Sequence, residues 1–98
     1  MPRHLLVVMH HPGPRWRAGV AAFEQPGIEA HVDHYRKLYE QGKLQMGGPF
    51  LDARGGGMMV ATEAITEADL AHFAALDPAV QDGLLTYEVR PWLLGMER

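Results

Sequence analysis

The sequence contains no cysteine. That absence excludes a disulfide framework, a Cys-based zinc site and a thiol nucleophile, and it fits the reducing cytoplasm. A basic excess is missing too, because Asp and Glu outnumber Lys and Arg and leave a formal net charge of -3. Nucleic-acid phosphates call for clustered Lys and Arg, so no nucleic-acid partner is expected. Long apolar runs are also absent. Leu5–Met9 is far too short to span a bilayer and ends at His10 and His11. It lacks the length and small-residue cleavage pattern of a signal peptide. The expectation is a soluble, cytoplasmic protein with no membrane partner.

What is present is a chain of 98 residues, read as a single domain over residues 1–98. A chain of this size buries roughly 60–65% of its unfolded surface, which suggests that a partner subunit supplies part of its stability. No internal repeat, charge block or low-complexity tract interrupts it.

The segment His4–His10 is apolar on both alternating faces, as expected of a central strand covered on both sides. His11–Pro26 holds three prolines and cannot be one regular element, although Trp16, Val20 and Phe23 are spaced for a short helical turn. A connection this long often forms a lid or binding loop. Ile28–Gln41 is a clear amphipathic helix: Ile28, Val32, Tyr35, Leu38 and Tyr39 share one arc, with charged residues opposite. Pro26 and Gly42 bracket it. His31 falls inside the apolar arc and His34 at its margin.

Leu44–Leu51 reads as a strand broken by Gly47-Gly48-Pro49, hence an edge strand or a bulged one. Asp52–Gly57 forms a hairpin into a strand at Met58–Ala61. Thr66 caps a second helix, which buries Leu70, Phe73 and Ala74 and stops before Asp77-Pro78. A short turn leads into the last strand, Leu84–Val89, with Val89-Arg-Pro-Trp92 at its end.

The order β-α-β-β-α-β with right-handed crossovers gives an α+β, ferredoxin-like fold. Its four-stranded antiparallel sheet has strand order 4-1-3-2, with two helices on one face. Because strand one is apolar on both faces, the open face is expected to meet a second copy of the sheet in a homodimer. The same topology gathers His10, His31, Asp52 and Asp77 at one end of the sheet, beneath the long loop.

Several short pieces then fall into a familiar order: His31, Gly42-Lys-Leu, Gly48-Pro49, Asp77-Pro78 with Gly83 five residues after the proline, and Val89-Arg-Pro-Trp92. In this the chain resembles the YciI-like (YCII-related) proteins over most of residues 28–92. The resemblance implies a dimeric α/β barrel and a His/Asp-centred site, carried here by His31 and Asp77. One activity associated with such proteins is dehydrochlorination of a chlorinated hydroxyhydroquinone. The loop His11–Gly27 and the Gly55-Gly-Gly57 hairpin differ from the shortest members.

Each candidate residue has a functional and a structural reading. His31 is either a general acid/base whose tautomer Asp77 sets, or a core histidine bonded to backbone. Asp77 either orients His31 or caps a turn, and Asp52 either lines a pocket mouth or heads the hairpin. His10, Trp16, Gly48, Pro49, Phe50, Asp52 and Met59 are the candidate substrate-binding residues. The apolar ones among them could equally be core or interface. A metal held among His10, His11, His31 and His34 is not expected, since the helical wheel turns His31 and His34 apart, His10 and His11 point to opposite faces of a strand, and no Glu or Asp at a convincing ligand spacing completes the set. The expected function is cofactor-independent proton transfer, of the elimination or isomerisation type, on a small cyclic or aromatic molecule. A non-catalytic small-ligand-binding or interaction module is the alternative.

Overall fold

In a computed structural model, which describes residues 3–98, the doubly apolar N-terminal segment forms β1 (Arg3–Pro12). It lies between β3 (Gly57–Ala61) and β4 (Leu85–Leu94), antiparallel to both. β2 (Leu44–Pro49) pairs outside β3, so the sheet runs β2-β3-β1-β4, the expected order read from the other edge. The fold is α+β and ferredoxin-like. Its two main helices are α1 (Ile28–Glu40) and α2 (Glu67–Ala75), and a single turn, α3 (Pro78–Gln81), follows α2.

Local chemistry sets the helix ends. Gly27 at φ 92° opens α1 and Gly42 at φ 74° follows its end, backbone conformations that side chains with a Cβ resist. Thr66 caps α2 by accepting the Asp69 N–H at 3.1 Å. The residue before a proline avoids the helical region, which stops the chain at Asp77 and lets it cap α3.

The two faces of the sheet carry different residues. Val8 on β1 packs with Tyr35, Leu38, Ala61, Leu70 and Ala74 beneath the helices. Leu5 and Val7 point the other way and cluster with Val60, Met9, Met58 and Leu94. Burying a large apolar side chain contributes about 1.5–3 kcal/mol, so the two clusters together supply much of the stabilisation.

Four details differ from the sequence reading. Trp16 and Val20 lie outside any helix; of the three, only Phe23 falls in a helical turn, a 3-10 turn at Ala22–Glu24, and it is exposed rather than packed on the core. β4 continues past Val89 to Leu94, and Pro91 fits opposite Leu6 because an edge strand has one unpaired side. The irregularity in β2 falls between Leu44 and Met46 rather than at Gly47–Pro49. His34 is buried, not marginal. The apolar arc of α1 is split: Tyr35 and Leu38 face the core, while Tyr39 stays 64% exposed and, with Val32, borders a cavity. The buried face is therefore rotated toward His31 and His34.

Candidate functional site

The cavity, about 410 Å³, lies between α1, the β2–β3 side of the sheet and the long loop. That loop is held at its base by Gln25, whose side chain bonds the backbone of Arg17 and Val20. Trp16 reaches from the loop to the β2–β3 hairpin, where a Cβ on Gly55 would lie 2.7 Å from its indole. Gly55 also has φ 70°, so both the turn and the close approach require glycine.

Three chain segments bring a buried polar cluster to the inner wall. His10 shares the helix-facing side of β1 with Val8, by strand alternation. His31 comes from the first turns of α1, and Asp77 from the junction of α2 and α3. Asp77 divides its carboxylate: Oδ1 accepts the Ala79 N–H at 2.9 Å, and Oδ2 accepts His31 Nδ1–H at 2.6 Å. Burial pushes the Asp77 carboxyl up. The hydrogen bond and charge of His31, the Ala79 N–H and His10 outweigh it, so its pKa lies below the usual carboxylate value. An ionised Asp77 holds the His31 proton on Nδ1 and leaves Nε2 as the basic nitrogen.

His10 Nε2 lies 3.3 Å from the Tyr35 hydroxyl and 3.9 Å from Asp77 Oδ2. Burial, helped by His31 and opposed by Asp77, lowers the His10 pKa to about 4, so this imidazole is neutral near pH 7. Burial and the Asp77 charge raise the Tyr35 phenol well above its ordinary value, so it stays protonated. The rings of His10, His31 and Tyr35 stand 4.8–5.3 Å apart, mostly edge to face. Among the described residues, His10 Nδ1 is the buried side-chain polar atom without a hydrogen-bond partner.

The model of the YCII-related domain matches residues 6–93. The chain belongs to the YCII-related family. An uncharacterized protein, YjpA of Bacillus subtilis (strain 168), is 31% identical to it over 72 residues, covering 74% of this chain and 82% of YjpA. His10, His31, Tyr35 and Asp77 all lie within the span matched to the YCII-related domain.

His10, Trp16, His31, Gly48, Pro49 and Met59 line the cavity of this YCII-related chain. Asp77 stands behind His31, fully buried. Two expected residues, Asp52 and Phe50, fall outside it. Asp52 is exposed and bonds the Arg54 N–H two residues on, the work of a turn residue. Phe50 follows the last residue of β2, is exposed, and is not part of the cavity wall.

His10, His31 and Asp77 also offer three ligand atoms within 4.8 Å of one another. Their spacing suits hydrogen bonding better than a cation. Metal bonds of about 2.0–2.1 Å at tetrahedral angles keep ligand atoms about 3.3 Å apart. The separation between His31 Nδ1 and Asp77 Oδ2 is only 2.6 Å.

Tyr35 is the member of the cluster that sequence reasoning missed, having counted it only for its apolar ring. The signal was available: a tyrosine on a buried helix face needs a partner for its hydroxyl, and it sits one turn after His31. His34, by contrast, donates from Nε2 to the Phe73 carbonyl at 2.7 Å and stacks on the Phe73 ring at 3.9 Å. It ties α1 to α2.

Proposed function

We propose that this protein transfers a proton to or from a small ring-shaped organic molecule bound in the cavity beside His31. His31 Nε2 takes or gives the proton and Asp77 orients the imidazole. The 2.6 Å bond between His31 and an ionised, buried Asp77 at the inner wall of a largely apolar cavity supports this reading above any other observation. A base fixed in one tautomer needs neither a covalent intermediate nor a cofactor to carry out elimination or isomerisation. Apolar walls suit a ring and keep water from the transferred proton.

The reading includes a homodimer formed through the open sheet face. Trp92, opposite Leu5 in register, is 44% exposed and extends the apolar cluster of that face. A mass of one chain at micromolar concentration would remove the dimer. We place the protein in the cytoplasm because it has no cysteine; among the described residues no helix is long and apolar enough to cross a membrane.

Deuterium uptake tests the chemistry. Small cyclic ketones and phenols, incubated in D2O with the protein and followed by NMR, should exchange a carbon-bound proton faster than in buffer. His31→Gln, which keeps a donor for Asp77, should abolish the acceleration. Ligand binding without uptake by any compound would instead assign the cavity to a non-catalytic binding module.

A further inference from the structure

The proton inventory of the buried cluster leaves one donor unused. His10 Nε2 faces the Tyr35 oxygen at 3.3 Å and an ionised carboxylate oxygen of Asp77 at 3.9 Å. A lone pair on Nε2 would point at that negative charge, so the nitrogen is better protonated, donating to Tyr35 and leaning toward Asp77. Nδ1 then carries the lone pair, and it is the buried atom without a partner. In this arrangement Tyr35 accepts from His10, and its own O–H has no partner among the described residues. Tyr35 also lines the cavity.

Resting on the proton-transfer reading, we propose that the Tyr35 hydroxyl is a further catalytic residue: it donates a hydrogen bond to the ligand oxygen that gains negative charge when His31 removes a neighbouring proton. His31 Nε2 takes a proton from a carbon next to a carbonyl, and the C–H pair becomes the C=C of an enolate. The carbonyl π electrons move onto oxygen, where the Tyr35 O–H meets them without giving up its proton. Reprotonation by His31 at another carbon gives the isomer; alternatively the enolate re-forms its C=O, a C=C forms as the neighbouring carbon expels its leaving group with the electron pair, and His31 returns its proton to that group. The ring centroids of His31 and Tyr35 are 5.2 Å apart on one wall, which lets a single small ring meet both. The raised phenol pKa keeps the donor protonated, and neutral His10 holds the hydroxyl in place without competing for the new anion. His10 is thus a positioning residue.

Two measurements test the assignment. The first is ¹⁵N NMR of His10 in the wild-type protein, where the Nε2–H tautomer is expected; the Nδ1–H tautomer overturns the proposal. The second uses 4-nitrophenol as a probe of the oxyanion site, because its absorbance reports ionisation. Wild-type protein should bind the phenolate and lower the probe's apparent pKa. Tyr35→Phe, folded by circular dichroism, should lose about tenfold to a hundredfold in phenolate affinity, the effect of one hydrogen bond to a charge. No phenolate binding by wild type, or equal binding by Tyr35→Phe, overturns the Tyr35 role. Equal binding by Tyr35→Phe, with deuterium uptake still dependent on His31, would leave the proton-transfer reading standing. Weakened binding in Tyr35→Phe with deuterium uptake independent of His31 would do the reverse.

Discussion

His31 and His34 leave the same helix one turn apart and are equally buried, each 7% exposed, yet their surroundings differ in kind. His34 meets a neutral carbonyl and the face of a phenyl ring, with packed atoms around it. His31 meets a carboxylate on one nitrogen and borders open space with the rest of its ring. Burial alone therefore does not distinguish a structural histidine from a reactive one. The charge of the partner and the space on the far side do.

The largest expected effect comes from removing the carboxylate. Asp77→Ala strips the partner from a buried imidazole and the cap from α3 at once. Urea denaturation should show a loss of about 3–5 kcal/mol, together with loss of proton transfer. Acid should act next. The folded His10 pKa of about 4 lies below its ordinary 6.5, so between those values the unfolded chain binds a proton that the folded chain refuses. The stability from neutral His10 is present above pH 6.5 and is lost as pH falls toward 4, by up to about 3 kcal/mol. Asp77, depressed below its ordinary 3.8, adds a loss in the same direction at still lower pH. His10→Gln should flatten the fall between pH 6.5 and 4 in denaturation curves.

The histidine comparison can be broken directly. His34→Ala should cost about 1–3 kcal/mol through the lost bond and ring contact while leaving deuterium uptake unchanged. Reduced uptake in a folded His34→Ala protein would erase the distinction between the two residues. The smallest effect belongs to Asp52→Ala, expected within about 0.5 kcal/mol of wild type and without change in nitrophenolate binding.

Much of the architecture was legible because hydrophobic period and topology reinforce one another. A strand apolar on both faces became central, a proline-bearing strand became an edge, and the connections left one order for the sheet. Topology also brought together residues far apart in sequence, His10, His31 and Asp77. It failed for Asp52, because reaching the same end of a sheet does not aim a side chain inward. The wheel misplaced His34 because a cavity drew Val32 and Tyr39 away from the core, and an apolar residue facing a cavity looks, in sequence, like one facing a core. Tyr35 escaped because periodicity counts rings and ignores hydroxyls.

Asp77 has a consequence for which amino acids its position tolerates. Each of its two duties, taken alone, could be met by several residues: Ser, Thr or Asn can cap a helix, and Glu or a carbonyl can hold an imidazole. Here both fall to one side chain two bonds from the backbone, with one oxygen committed to each. Glutamate is a methylene too long to keep the cap, serine lacks the second oxygen, and asparagine presents an amide where one of the two donors requires an acceptor. In a saturation scan read out by both stability and turnover, position 77 should therefore admit a single residue, where either selection alone would admit a group.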